Sequence, residues 1–110
     1  MTSARKAAIA AYKERKPAAG IFVIRCAASS EAWVGQTPDL EKIQNRIWFT
    51  LRQGSHPCRG LQAAWTAHGA DSFAFEECER LEEEELPYIR DARLKERASY
   101  WRRQLEAEAV

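Results

Sequence analysis

The alternation of apolar and polar positions predicts a pair of β-strands near the beginning of the chain. Gly20–Cys26 and Ala32–Thr37 are apolar runs rich in β-branched and aromatic residues, and the small and polar residues Ala27–Glu31 separate them. Two such runs joined by a short connection are typical of a β-hairpin. The hairpin is predicted to place its aromatic residues, Phe22 and Trp33, at matching positions in the two strands.

After the hairpin, apolar residues recur at the spacing of an α-helix. Thr37 is predicted to cap a helix that has Pro38 at its first position and continues to about Gln53, before Gly54. Four residues at helical spacing define the predicted buried face of this helix: Leu40, Ile43, Ile47 and Leu51.

The remaining elements follow from similar patterns. Helices are predicted over residues 3–16 and 61–68, the second ending at Gly69, and a long helix is predicted over about residues 88–107. Alternation of phenylalanine with other residues predicts a third strand over residues 73–78.

The element order α-β-β-α-α-β-α predicts a mixed α/β (α+β) fold. We expect a small three-stranded sheet, at least partly antiparallel because of the hairpin, flanked by helices. A chain of 110 residues is sufficient for one domain with a modest core. The predicted organisation is a basic N-terminal helix within residues 1–17, followed by the folded domain over residues 18–107.

Charge is strongly segregated although the whole chain carries a net charge of only +1. Residues 1–19 hold five Lys or Arg against one Glu, residues 76–85 hold seven Glu against one Arg, and residues 86–110 hold six Lys or Arg against four acids. Attraction to phosphate depends on a local basic patch rather than on the total charge. Nucleic acid therefore stays among the expected partners.

Cysteine usage and hydropathy predict a cytoplasmic protein. Cys26, Cys58 and Cys78 are odd in number and widely spaced, without a Cys-x-x-Cys pair, as is typical of reduced thiols. No apolar run approaches the roughly 20 residues that span a bilayer, and the basic N-terminus lacks the apolar core of a secretory signal. We expect no association with a membrane.

The two tripeptides Gly20-Ile21-Phe22 and Trp33-Val34-Gly35 resemble the paired signature of the GIY-YIG nuclease superfamily. The resemblance covers roughly residues 18–105 and is closest to the small single-domain and homing-endonuclease-type branches. Further segments that resemble landmarks of this family follow in the same order: Gly35-Gln36-Thr37 with Asp39-Leu40-Glu41-Lys42, Gly54-Ser55-His56 with Leu61-Gln62, His68-Gly69 with Phe73-Ala74-Phe75-Glu76, and Leu86-Pro87-Tyr88 with the Glu96 to Trp101 helix.

The resemblance implies hydrolysis of nucleic-acid phosphodiester bonds, with DNA as the expected substrate. The two signature tyrosines of the family fall on Phe22 and Trp33, and neither side chain carries a hydroxyl group. The family's phosphate-binding arginine falls on Ile43, and Arg46, about one turn along the helix, is the candidate substitute. His56 matches a histidine of the homing-endonuclease branch. The candidate catalytic positions implied by the resemblance are Arg46, His56, Phe22 and Trp33. Arg46, Arg52 and Arg59 are the predicted nucleic-acid contacts.

The resemblance also implies one divalent cation, Mg²⁺ or Mn²⁺, if the chain is catalytically active. The family's metal-binding glutamate falls on Ala98, which cannot ligate a cation. Asp91, two helical turns before Ala98, and Glu76 on the third predicted strand are the candidate metal ligands.

The sequence is compatible with three functions. The first is a GIY-YIG-type nuclease domain with a strongly altered active site. The second is a non-hydrolytic DNA-binding module on the same fold. The third is a protein-interaction or dimerisation domain, in which the acidic residues 76–85 meet a basic surface such as the N-terminal segment of another copy, and this third function allows a homodimer.

Overall fold

The computed structural model describes residues 18–110, and the predicted basic helix within residues 1–17 lies outside them. The hairpin strands, β1 (Gly20–Cys26) and β2 (Ala32–Thr37), have the predicted bounds. A third strand, β3 (Phe73–Arg80), is two residues longer than predicted. Both β2 and β3 pair antiparallel with β1, which therefore lies inside the sheet.

A fourth strand completes the sheet and corrects the predicted count of three. This strand, β4 (Glu108–Ala109), pairs parallel with β2, and the strand order is β3-β1-β2-β4. It forms because the last helix ends at Leu105 instead of about residue 107, and Glu106 adopts a left-handed conformation with φ 50°. That turn directs the chain back to the edge of β2.

Three helices flank the sheet, namely α1 (Leu40–Arg52), α2 (Arg59–His68) and α3 (Pro87–Leu105). The predicted cap of α1 is wrong by two residues. Asp39 is the N-cap, and its Oδ1 accepts hydrogen bonds from the backbone N–H groups of Glu41 and Lys42 at 3.0 and 3.2 Å. Thr37 stabilises the turn that precedes the helix, because its hydroxyl accepts a hydrogen bond from the Asp39 N–H at 3.0 Å.

Both faces of β1 are buried, which divides the core into two clusters. Phe22 and Ile24 pack on one side with residues of α1 and α2, whereas Ile21 and Val23 pack on the other side with Leu94 of α3. Because side chains alternate along a strand, one apolar segment supplies both clusters. The result is a three-layer arrangement with the sheet between α1 and α2 on one side and α3 on the other.

An ion-pair and hydrogen-bond group fixes α3 to β3. The Glu79 carboxylate accepts from Arg97 Nε at 2.7 Å and from the Trp101 indole N–H at 2.9 Å. Burial raises the pKa of Glu79, but the hydrogen bonds from Trp101 and Arg97 outweigh it, so the net pKa lies below the ordinary value of 4.5. The charged form of Glu79 therefore stabilises the contact between the two elements.

Gly35 allows close packing on β2, because its lack of a side chain leaves space for two neighbouring side chains. A Cβ atom added at Gly35 would overlap the ring of Phe22 and the Val110 side chain. The Phe22 ring is buried and stacked on Phe75 with centroids 5.3 Å apart, so it cannot move without loss of packing.

We expect Gly35→Ala to lower the free energy of unfolding by about 1–3 kcal/mol, the usual effect of overpacking. Gly60→Ala is the control, because a Cβ atom there would make only ordinary contacts at 3.7 and 3.8 Å in a helix that alanine favours. Urea denaturation of both variants measures the difference. Equal stabilities would contradict the steric explanation.

We expect Glu79→Gln to lower the free energy of unfolding by about 1–2 kcal/mol at neutral pH, as for a hydrogen-bonded charge. Because the pKa is lowered in the folded state, the stabilisation is present above the ordinary value of 4.5 and is lost as the pH falls through the folded-state pKa. Denaturation at a series of pH values should therefore show the wild type and the variant converging in acid.

Glu77→Gln is the matched control for this experiment, because Glu77 pairs with Arg80 at 2.8 Å on the exposed surface. Such a pair contributes little when solvent screens it. A Glu77→Gln effect as large as that of Glu79→Gln would show that the contact between α3 and β3 is not the cause.

Candidate nucleic-acid interface

The two positions of the signature aromatics, Phe22 and Trp33, lie inside the protein on the side of α1 and α2. Their exposed fractions are 3% and 0%. The register pairs Phe22 with Gly35 and Trp33 with Ile24, so the two rings are diagonal neighbours on one face of the hairpin. A buried ring without a hydroxyl group cannot transfer a proton to or from a substrate. In this structure both residues are packing residues.

Around them the fold assembles a continuous set of aromatic rings. Phe75 stacks on Phe22, and Phe73 lies 6.2 Å from Trp33, measured between ring centroids. Three further contacts link these rings to helices α1 and α2: Trp48 with Trp65 at 5.4 Å, Trp65 with Phe73 at 5.2 Å, and Trp48 with Phe75 at 6.4 Å.

Four of these rings, those of Trp48, Trp65, Phe73 and Phe75, are half-buried and line a cleft of about 370 Å³. We refer to it as the aromatic cleft. Gln44 and Arg52 lie at its rim, and both side chains are exposed. Gln44, Trp48 and Arg52 are spaced four residues apart on α1, which is the one sequence signal for this surface. The rings from β3 join them only through the tertiary fold.

The predicted phosphate contacts on α1 do not form one cluster. Arg46 and Arg52 are six residues apart, a rotation of about 240° around the helix, so they flank the buried face on opposite sides. Arg52 lies beside the aromatic cleft, whereas Arg46 is exposed on the other flank. Arg59 is also exposed and is the first residue of α2.

His56 is held in a defined orientation in the loop between α1 and α2. Its backbone N–H donates to Gln62 Oε1 at 3.0 Å, and Gln62 Nε2 donates to the Leu51 carbonyl at 3.1 Å. The imidazole Nδ1 accepts from the Cys58 N–H at 3.0 Å. Burial lowers the pKa of His56, because it disfavours the charged imidazolium.

These contacts determine what the imidazole can do chemically. Because Nδ1 of His56 is an acceptor, the proton of the neutral ring is on Nε2. That nitrogen can donate a hydrogen bond to a phosphate oxygen. In this tautomer it cannot take a proton from an attacking water molecule.

The two candidate metal ligands are each paired with an arginine. Asp91, on α3, is exposed and accepts hydrogen bonds from Arg90 at 3.2 Å, and Glu76, on β3, pairs with Arg25 at 3.5 Å. Ala98 is 1% exposed and packs in the α3 cluster, on the opposite side of the sheet from Phe22. Over residues 18–110, no group of three or more His, Cys, Asp or Glu is placed to hold a metal ion.

Divalent cations such as Mg²⁺ need several oxygen ligands around one point. The described side chains at these positions therefore do not fit a metal centre of the implied kind.

Within residues 18–110, no helix is long and apolar enough to cross a membrane.

Neither a protein-family model nor a curated protein matches this chain. Two solved structures are similar to it. The first is a glutamate-to-alanine mutant of the catalytic domain of the intron endonuclease I-TevI, with 27% identity, a TM-score of 0.68, and coverage of 81% of this chain and 84% of that one. The second is the catalytic domain of the homing endonuclease I-TevI, with 24% identity, a TM-score of 0.70, and coverage of 84% of this chain and 97% of that one.

The agreement extends over most of both chains. In its fold the chain is a divergent member of the GIY-YIG nuclease superfamily.

Proposed function

We propose that this protein is a DNA-binding domain with the GIY-YIG nuclease fold, in which hydrolysis is lost or greatly reduced. The observation that carries the proposal is the aromatic cleft with Arg52 at its rim. Both structural neighbours are catalytic domains of endonucleases, which supports nucleic acid as the partner class.

The aromatic cleft has the two features that single-stranded nucleic acid requires of a protein surface. Exposed faces or edges of aromatic rings accept stacked bases of any sequence, and a nearby guanidinium attracts the backbone phosphate. The Arg52 side chain makes no hydrogen bond or ion pair within residues 18–110, so binding phosphate does not disrupt an existing contact. Arg46, Arg59 and the Nε2–H of His56 supply further donors on neighbouring surface.

Several observations support the reduced hydrolysis. Phe22 and Trp33 cannot exchange protons through a hydroxyl group, and His56 is held as a donor. Ala98 offers no ligand for a cation, and Asp91 and Glu76 are each paired with an arginine. General acid–base catalysis alone contributes about 10²–10⁴ in rate, so the absence of these groups together is expected to reduce cleavage severely.

A second candidate function is favoured by a different surface. A pocket of about 380 Å³ next to Ala18 is lined by Asp39, three glutamates over residues 82–84, and Arg90. Its excess of carboxylates fits a basic protein segment and not phosphate. This surface supports the protein-interaction alternative, including a homodimer, and that alternative gains weight if no nucleic acid binds at low salt.

Arg52→Gln is expected to weaken binding to single-stranded DNA by on the order of threefold to tenfold, because one phosphate contact is removed. The slope of log K against log salt concentration should fall by about 1. Fluorescence anisotropy of a labelled oligonucleotide at several salt concentrations measures both quantities.

Arg93→Gln is the control, since Arg93 is exposed on α3, on the other side of the sheet, and carries the same charge. We expect its slope to match that of the wild type. Equal losses in the two variants would indicate general electrostatic attraction and would contradict a contact at the aromatic cleft.

In a cleavage assay with Mg²⁺ or Mn²⁺, we expect DNA to remain intact under conditions in which the I-TevI catalytic domain cuts its own DNA. Gel analysis of the wild type, Arg46→Ala and His56→Ala tests this expectation. Cleavage by the wild type at a comparable rate would refute the proposed loss of hydrolysis. If the wild type cleaves and both variants cleave equally well, Arg46 and His56 are not part of the site.

A further inference from the structure

The indole N–H of Trp33 is a buried donor that lacks an acceptor among the described residues. Trp33 is fully buried, with an exposed fraction of 0%. Buried polar groups are nearly always hydrogen-bonded, and an unpaired one often marks a place where a ligand or water belongs. The surroundings of this nitrogen therefore indicate what it could bind.

The nitrogen lies next to the first turn of α2. A Cβ atom added at Gly60, the second residue of α2, would lie 3.7 Å from Trp33 Nε1. Cys58 precedes the helix without a side-chain cap, so the N–H groups of the first turn have no intrahelical or capping partner. Arg59 adds an exposed guanidinium at the same turn. A helix N-terminus of this kind attracts anions.

A carboxylate lies near the same turn. Glu108 Oε2 would lie 3.8 Å from the same added Cβ atom at Gly60, although it does not accept a hydrogen bond from the Trp33 indole N–H. The negative charge of Glu108 is therefore placed to compete with an anionic ligand at this turn.

Glu108 reaches this point through β4, which is held by few contacts. Glu108 is the register partner of Trp33 in the two-residue strand, and the Val110 N–H donates to the Val34 carbonyl at 3.1 Å. The Cys58 thiol lies 3.7 Å from the Ala109 carbonyl oxygen. A strand this short is well below the usual five to six residues, so a competing ligand can displace it at modest free-energy cost.

We propose that the first turn of α2, the Trp33 indole N–H and Arg59 form a phosphate-binding site, next to which the Glu108 carboxylate lies in the present conformation. Phosphate binding then requires the Glu108 side chain, with β4, to move away. The existence of a phosphate site does not depend on the function proposed above. The identification of the phosphate as part of a nucleic-acid backbone does rest on that function.

The test uses the full chain and Glu108→Gln, which removes the competing charge from an exposed side chain. Inorganic phosphate is titrated at constant ionic strength while the indole N–H signals are followed by ¹H–¹⁵N NMR, and Trp33→Phe identifies the Trp33 signal. We expect the Trp33 signal to shift in Glu108→Gln with an apparent affinity about tenfold higher than in the wild type.

Glu106→Gln is the matched control, because it removes the same charge two residues away, at the end of α3. We expect its phosphate affinity to stay within about twofold of the wild type. If Glu106→Gln and Glu108→Gln behave alike, or if the Trp33 signal moves with phosphate in no variant, the site is refuted.

A second titration, with a short DNA oligonucleotide, separates this inference from the proposed function. A Trp33 shift with both phosphate and DNA supports the two together. A shift with phosphate but no binding of DNA at low salt supports the phosphate site and refutes the DNA-binding function. DNA binding that leaves the Trp33 signal of Glu108→Gln unmoved refutes the site as a contact for the backbone.

Discussion

The burial of β1 on both faces is the constraint on which the rest of the structure depends. Its alternate side chains enter two separate clusters, so α1 and α2 must cover one side and α3 the other. Phe22 and Ile24 anchor the first cluster, while Ile21 and Val23 anchor the second. The aromatic cleft lies where α1 and α2 meet the sheet, and the separation into two sides also places Ala98 away from Phe22.

Aromatic packing links the core of the protein to the aromatic cleft. At Phe22 and Trp33 large apolar rings stack on Phe75 and Phe73, which strengthens the cluster beneath α1 and α2. The same stacking continues outward to the half-buried rings of the aromatic cleft. A half-buried aromatic surface is therefore continuous with the core. This continuity is the structural basis on which we propose binding to nucleic-acid bases.

Several features could be predicted from the sequence because they depend on neighbours along the chain. The bounds of β1 and β2 follow from period-two apolar runs, and the existence of the three flanking helices follows from helical spacing. The exact start of α1 does not follow from the sequence, because Thr37 and Asp39 are both residue types that cap helices. The backbone conformation shows that Asp39 is the N-cap. The end of α3 was missed because Glu106, not glycine, takes the left-handed position.

The sequence by itself determined the hairpin, the fold class and the loss of the signature hydroxyl groups, since each depends on residue type and short-range spacing. Only the tertiary structure decided which distant residues meet. It brought Phe73 and Phe75 to Trp48 and Trp65, paired Glu76 with Arg25, and placed Glu108 beside Trp33 in the sheet. These contacts join segments that are far apart in the chain. Side-chain packing across the sheet brings such residues together, and no local sequence pattern predicts it.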